Sequence, residues 1–136
     1  LSRYTGIKIV LISPEELELP DYIQRDVIDK NGLESYKTTD LLEVMPQLDV
    51  LYMTRVQKER FFNEDDYLRL RDSYILTPDK LDTAKKDLKI LHPLPRVNEI
   101  SVKIDEDPRA CYFKQVRNGK FIRMALILKL LKEAEA

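Results

Sequence analysis

The sequence contains few of the residues on which covalent cross-links, metal sites and glycine-rich loops depend. It has one cysteine, Cys111, and one histidine, His92. A single cysteine cannot form an internal disulfide, and one cysteine with one histidine cannot complete a structural zinc site. The three glycines, Gly6, Gly32 and Gly119, lie too far apart to form a glycine-rich phosphate loop.

An excess of one charge and long apolar runs are missing as well. Lysine and arginine number 23 against 24 aspartates and glutamates, so the net charge is -1. Nucleic-acid binding and polybasic membrane arms need a surplus of positive charge, and the longest apolar run is far shorter than a membrane span. No signal-peptide pattern opens the chain. We therefore expect a soluble cytoplasmic protein without nucleic-acid or membrane partners.

Short apolar runs alternate with segments of helical periodicity along the 136 residues, which is a length typical of one domain or a piece of one. Runs without polar alternation indicate strands that are covered on both faces. The pattern predicts an α/β fold with a doubly wound parallel sheet flanked by helices. The predicted strands are 8–13, 35–38, 49–53 and 89–92, and the predicted helices are 21–31, 39–46, 64–71, 77–87, 112–117 and 122–133. We expect Asn118-Gly119 to break the last two helices apart. We assign the apolar stripe at 126–131 to the core or to an interface.

Two polar loops follow strand ends, where open α/β sheets bind their ligands. They are Thr54–Arg60 and His92–Glu99. In the first loop Arg55 and Gln57 are two residues apart, so an extended backbone directs both side chains to the same side. A guanidinium with a primary amide suits a small ligand that carries a carboxylate. The alternative is a solvated charged loop with its own ion pairs.

The second loop contains His92-Pro93-Leu94-Pro95. Two prolines remove two backbone donors and fix two φ angles, which leaves carbonyl oxygens displayed at the strand end. Such carbonyls suit an N–H-rich group, for example a carbamoyl NH2 or an amine, and a cis X-Pro bond is possible there. The alternative is a strand terminator in which His92 is a packed, hydrogen-bonded core residue, since no second histidine, cysteine or acid lies at metal or triad spacing.

Together these motifs give a specific resemblance. Thr-Arg-Val-Gln-Lys-Glu-Arg at 54–60 and Leu-His-Pro-Leu-Pro-Arg-Val-Asn-Glu-Ile at 91–100 closely resemble the aspartate carbamoyltransferases, as do the segments at 49–53, 112–115, 118–119 and 123–126 in the same order. Ornithine carbamoyltransferases carry a cysteine after the histidine of the proline loop, whereas Pro93 follows His92 here. The resemblance therefore implies L-aspartate as the second substrate.

The resemblance also implies roles for individual residues. Arg55 and Gln57 would bind L-aspartate, and Pro93-Leu94-Pro95 would contact carbamoyl phosphate and orient the amine around a cis Leu94-Pro95 bond. Glu59 and Arg60 would belong to a loop that closes the site. The implied reaction is direct attack of the aspartate amine on carbamoyl phosphate in pyrimidine synthesis, by a homotrimer that uses no metal, cofactor or covalent intermediate.

Several motifs of the family's amino-terminal half are missing from these 136 residues. They are Ser-Thr-Arg-Thr-Arg and a His-Pro segment with a nearby Gln. The Gly-Arg-Thr stretch that opens the first helix of the aspartate domain is missing as well. We expect residues 1–136 to be the aspartate-binding domain without its first strand and most of its first helix, with Leu1–Thr5 as that helix's tail and Gly6 as its cap. The carbamoyl-phosphate domain would be absent, so this chain alone would be inactive. The alternative function is a noncatalytic remnant that serves as a binding or assembly module.

Overall fold

The strands of the chain pair in parallel, as the apolar runs predict. The computed structural model describes residues 1–56, 64–70 and 74–134, without the side chains of residues 66, 69 and 70. Two compact units are formed, the first from the described parts of 1–46 and 57–74 and the second from those of 47–56 and 75–136. The elements are β1 (Lys8–Ile12), α1 (Asp21–Ile23), β2 (Glu34–Thr38), α2 (Leu41–Val44), β3 (Val50–Tyr52), α3 (Glu64–Leu70), β4 (Lys89–Leu91) and α4 (Tyr112–Ala134), with short 3-10 helices at Glu15–Leu17, Met45–Gln47, Pro78–Leu81 and Val102–Ile104.

In the first unit a helical crossover joins β1 to β2. The two strands pair in parallel from Lys8 opposite Glu34 to Ile12 opposite Thr38. After α1 the chain continues through a π-helical turn and a 3-10 turn to Asn31. Gly32 then ends the helical segment at φ 64, a left-handed conformation that glycine adopts without steric penalty. The predicted helix over 21–31 is therefore confirmed, and Gly32 is its C-terminal cap.

A side-chain cap stabilises the start of α2. Asp40 is the N-cap, and its carboxylate accepts hydrogen bonds from the backbone N–H groups of Leu42 at 2.8 Å and Glu43 at 3.4 Å. These bonds satisfy donors that the helix cannot pair internally. Leu41 and Val44 are buried on the inner face of this helix.

In the second unit β3 and β4 form a parallel pair, from Val50 opposite Lys89 to Tyr52 opposite Leu91. The backbone around Ala110 lies on the other side of β4, because Ile90 N–H donates to Arg109 O at 2.8 Å and Cys111 N–H donates to Ile90 O at 2.9 Å. Ile90 is fully buried at the centre of this arrangement. The apolar residues buried in the second unit are Leu48, Leu51, Met53, Leu76, Leu81, Leu88, Ile90, Ile100, Ile104 and Tyr112.

Three predicted helices, 77–87, 112–117 and 122–133, differ from those observed. The segment after Thr77 contains only the 3-10 helix Pro78–Leu81, although a helix to about Asp87 was expected. Conversely, α4 runs without interruption from Tyr112 to Ala134 through Asn118-Gly119. Gly119 has no positive φ, and its cost of about 1 kcal/mol relative to alanine is offset by the strong helix formers around it.

Two further expectations concern the chain ends. Leu1–Thr5 forms a turn, with Tyr4 N–H donating to Leu1 O at 3.0 Å, rather than regular helix. Five residues are too few for a ladder of α-helical hydrogen bonds. Leu126–Leu131 does not belong to the core of this chain, because its leucines are more than half exposed. Across the described residues, no helix combines the length and apolarity needed to cross a membrane.

Candidate functional site

The candidate site lies where β3 and β4 end side by side. Because the strands are parallel and in register, their carboxyl ends lie at the same edge of the second unit. The pairing extends one step further, since Met53 N–H donates to Leu91 O at 2.9 Å. The chain leaves β3 at Thr54-Arg55 and β4 at His92-Pro93. The two loops that the sequence singles out therefore start from neighbouring positions.

Arg55 is exposed at this edge, three residues beyond the end of β3. Its exposure leaves the guanidinium accessible to an anionic ligand. Gln57, Glu59 and Arg60, which the sequence also places in this loop, lie outside the described residues. The pairing of Arg55 with Gln57 on one side of the loop therefore stays a prediction.

The proline loop after β4 has an unusual backbone. The Leu94-Pro95 peptide bond is cis, as expected, and Leu94 is the non-glycine residue with a positive φ, at 48°, among those described. A left-handed conformation costs a residue with a Cβ roughly 1–2 kcal/mol, so neighbouring contacts must hold it in place. Pro93 and Pro95 are exposed, while Leu94 is half-buried. The loop thus presents its backbone at the same edge as Arg55.

A buried pair of side chains, His92 and Glu99, supports the loop from inside. His92 is 1% exposed and Glu99 is 5% exposed. Nε2 of His92 lies 2.8 Å from Oε1 of Glu99, and the backbone N–H of Leu94 donates to Nδ1 of the same ring at 2.8 Å. Oε2 of Glu99 accepts from the N–H groups of Val97 and Asn98 at 2.9 and 3.1 Å. His92 is therefore packed and hydrogen-bonded in the core, as that part of the alternative expected, while the role of the loop toward a ligand stays a prediction.

The ionisation of Glu99 follows from these contacts. Burial raises the pKa of Glu99, but the backbone N–H donors and the His92 ring together lower it more, so the pKa lies below its ordinary value. Glu99 is therefore a carboxylate that only accepts hydrogen bonds. Sequence reasoning missed it because Glu99 is seven residues from His92, and only the folding back of the loop brings the two together.

A second cluster anchors the end of the loop. The guanidinium of Arg96 forms a two-pronged ion pair with the carboxylate of Asp105, with one N···O distance of 2.6 Å. The hydroxyl of Tyr112 donates to the same carboxylate, and Arg96 lies 5.5 Å from the centroid of the Tyr112 ring. The Arg96 side chain is 14% exposed and that of Asp105 is 30% exposed. The first turn of α4 is thereby linked to the loop.

The electrostatics of this cluster are strongly shifted. Hydrogen bonding from Arg96, with a smaller contribution from Tyr112, lowers the pKa of Asp105 to about 2. The bond to Asp105 raises the pKa of Arg96. Burial and the bond to Asp105 raise the pKa of Tyr112 to about 12. Around neutral pH the cluster therefore consists of an arginine cation, a carboxylate and a neutral phenol.

Gln115 of α4 completes the support of both strand ends. Its Oε1 accepts from the backbone N–H of His92 at 2.8 Å, and its Nε2 donates to the hydroxyl of Tyr52 at 3.2 Å. One amide thus joins the end of β4 to the end of β3. The sequence gives no local signal for this contact, because Gln115 is 23 residues from His92.

The chemistry that this edge can perform is binding and orientation. An exposed guanidinium can hold a carboxylate, and rigid backbone carbonyls can accept from an amine or an amide. Within the described part of the chain, no group of three or more His, Cys, Asp or Glu could hold a metal ion. The roles predicted for Arg55, Gln57 and Pro93-Leu94-Pro95 toward particular substrates remain predictions.

The chain is similar to known carbamoyltransferases. Residues 1–130 match the family described as "Aspartate/ornithine carbamoyltransferase, Asp/Orn binding domain". The aspartate carbamoyltransferase catalytic subunit of Clostridium acetobutylicum is 62% identical over 131 residues, which cover 96% of this chain and 43% of that protein. The subunit of the same name from Clostridium botulinum is 60% identical with the same coverage. The chain thus spans less than half the length of these curated relatives.

Solved structures agree with the sequence relatives. The catalytic subunit of M. jannaschii aspartate transcarbamoylase superposes with a TM-score of 0.86 at 36% identity, covering 99% of this chain and 43% of that one. Trypanosoma cruzi aspartate transcarbamoylase, in complex with carbamoyl phosphate and aspartate, gives a TM-score of 0.81 at 37% identity and covers 93% of this chain and 42% of that one. The fold predicted from the motifs is therefore confirmed.

Proposed function

This chain belongs to the aspartate/ornithine carbamoyltransferase family, and we propose that residues 1–136 are the L-aspartate-binding domain of an aspartate carbamoyltransferase. The proposed reaction transfers the carbamoyl group of carbamoyl phosphate to the amine of L-aspartate in de novo pyrimidine synthesis. The products are N-carbamoyl-L-aspartate and phosphate. The names of relatives at 60% and 62% identity, and Pro93 in place of a cysteine after His92, support aspartate over ornithine.

The observation that carries this proposal is the common edge of β3 and β4. The in-register parallel pair starts the Arg55 loop and the proline loop from adjacent positions. One loop offers a cation for a carboxylate, and the other offers carbonyl acceptors for N–H groups. L-Aspartate carries two carboxylates and an amine. A single substrate can therefore bind the Arg55 loop through a carboxylate and the proline loop through its amine.

The proposed roles are those that the family resemblance implies, and the shared edge of β3 and β4 supports them for Arg55 and the proline loop. Arg55 and Gln57 bind L-aspartate, and Pro93-Leu94-Pro95 contact carbamoyl phosphate and orient the amine. The amine attacks the carbamoyl carbon, the bond from that carbon to the phosphate oxygen breaks, and the amine loses a proton. Holding two reactants in attack geometry supplies a large part of such a rate enhancement, without a protein nucleophile. Glu59 and Arg60 are proposed to belong to a loop that closes over the substrates.

Carbamoyl phosphate also needs cationic partners, and the proposal assigns them to a carbamoyl-phosphate domain outside these 136 residues. The complete protein is proposed to be a cytoplasmic homotrimer. The 136-residue chain alone is expected to be inactive. Its sequence contains none of the phosphate-binding motifs that the resemblance associates with the amino-terminal half.

The test is to assay the complete protein with labelled carbamoyl phosphate and either L-aspartate or L-ornithine. We expect labelled carbamoyl aspartate and no carbamoyl ornithine. The isolated chain, purified from a host that lacks its own enzyme, provides the matched control and should give no product. A complete protein that binds L-aspartate but forms no product would instead support the noncatalytic alternative.

A further inference from the structure

We propose that Glu99 and His92 are positioning residues for the proline loop, an inference that rests on the proposed function. Glu99 holds the His92 ring in the tautomer that carries its proton on Nε2. The unprotonated Nδ1 then fixes the amide of Leu94, so that the loop carbonyls point toward the substrate amine. Neither side chain touches substrate in this proposal, since both are buried beneath the loop.

The hydrogen-bond roles around the ring follow from the donors. A backbone N–H can only donate, so Nδ1, which lies 2.8 Å from the Leu94 nitrogen, must accept and carries no proton. The ring proton therefore sits on Nε2 and is donated to Oε1 of Glu99 at 2.8 Å. A ring with a proton on Nδ1 would place two donors against each other at Leu94.

Glu99 is suited to select this tautomer. Both of its oxygens are committed as acceptors, Oε1 to His92 and Oε2 to the N–H groups of Val97 and Asn98. The partner of a histidine ring nitrogen determines which nitrogen is protonated, and a carboxylate demands a proton on the side that faces it. The side chains of His92 and Glu99 are 1% and 6% exposed, so bulk water has little access to replace either contact.

The held group, Leu94, is the residue that needs support. Its left-handed φ of 48° is unfavourable for a side chain with a Cβ, and the bond to Nδ1 fixes its amide in that conformation. Loss of the acceptor would let the peptide rotate and turn the adjacent carbonyls. Misorientation should slow the chemical step, while Arg55 on the other loop continues to bind the aspartate carboxylate.

Three substitutions in the complete protein separate the contact of His92 with Leu94 from its contact with Glu99. His92→Asn keeps an acceptor near the position of Nδ1. His92→Gln reaches toward Glu99 but supplies no acceptor for the Leu94 amide. In Glu99→Gln one amide must meet two backbone donors and the ring proton, so one contact is lost or the tautomer switches. Asp107→Asn is the control, because it disrupts another partly buried ion pair of this unit, that with Arg109.

We expect kcat to fall about 10- to 100-fold in His92→Gln and Glu99→Gln, with the aspartate KM changed less than about threefold. His92→Asn should stay within about fivefold of the unmodified kcat, and Asp107→Asn should lose stability without losing kcat. The proposal is overturned if His92→Asn and His92→Gln lose kcat equally. It is also overturned if kcat in all four variants follows only the loss of stability.

A measurement without substitution decides the case even if variants fail to fold. Nitrogen-15 NMR of the complete protein distinguishes a protonated from an unprotonated ring nitrogen, and through-bond correlation assigns the ring signals to His92. We expect a bare Nδ1 and a protonated Nε2. A proton on Nδ1 refutes the positioning role, whether or not the protein is active. Absence of carbamoyl aspartate from the unmodified protein would refute the proposed function instead.

Discussion

Substitution of Asp105 by asparagine should destabilise the protein at neutral pH and much less in acid. In the folded protein Arg96 and Tyr112 lower the pKa of Asp105 from 3.8 to about 2. A pKa lowered by this much corresponds to roughly 2.5 kcal/mol at most. Because the side chain is 30% exposed, solvent screening reduces the expected loss to about 1–1.5 kcal/mol. Asparagine keeps an acceptor for one donor but removes the charge.

The pH dependence has a definite sign. The folded pKa of Asp105 lies below its unfolded value, so its contribution is fully present above about pH 4 and is lost as the pH falls through about 2. At pH 3 about half of the contribution should remain by the linkage relation. The free energy of unfolding, measured with urea at pH 7 and pH 3, should therefore show a smaller difference between Asp105→Asn and the unmodified protein at the lower pH.

The control for the charge change is Asp87→Asn, because Asp87 is an exposed aspartate of the same unit. Tyr112→Phe gives an intermediate case, since it removes one hydroxyl donor and keeps the ring beside Arg96. The reasoning is refuted if Asp105→Asn costs no more than Asp87→Asn at pH 7. A difference that stays constant between pH 7 and pH 3 would refute it as well.

Other predictions concern the site and the helix ends. In the complete enzyme Arg55→Ala should lower kcat/KM for aspartate by about one to two decades, with carbamoyl phosphate binding changed little. Arg55→Lys should restore little of this activity. Equal losses for both substrates would contradict the role of Arg55. Gly32→Ala should cost about 1 kcal/mol in urea unfolding, because φ is 64° there. Gly119→Ala should stabilise by about 0.5–1 kcal/mol, because the added Cβ would meet Arg123 Nη1 at an ordinary contact distance of 3.9 Å. The same sign for both substitutions would contradict the argument. Asp40→Ala should cost about 1 kcal/mol through the lost N-cap, and an unchanged urea midpoint would rule that contribution out.

Local chemistry determined much of the fold from sequence alone. The apolar runs at 8–12, 50–52 and 89–91 form parallel strands. Asp40 caps α2, and Gly32 adopts the left-handed conformation expected after a helix. The restricted proline loop at a strand end was also predictable, whereas its cis Leu94-Pro95 bond was expected from the family resemblance. These features depend on residues within a few positions of one another, where periodicity, capping and backbone restriction act directly.

The tertiary structure decided which distant residues meet. Glu99 reaches His92 because the loop folds back on itself, and Asp105 and Tyr112 converge on Arg96 from separate segments. Gln115 reaches both strand ends only because α4 begins beside β4. Asn118-Gly119 does not break α4, although a break was predicted there. The helix propensity of the many other residues in α4 outweighs the cost of one glycine. Contacts between distant segments depend on the path that the loops take, and the spacing of residues along the sequence does not determine that path.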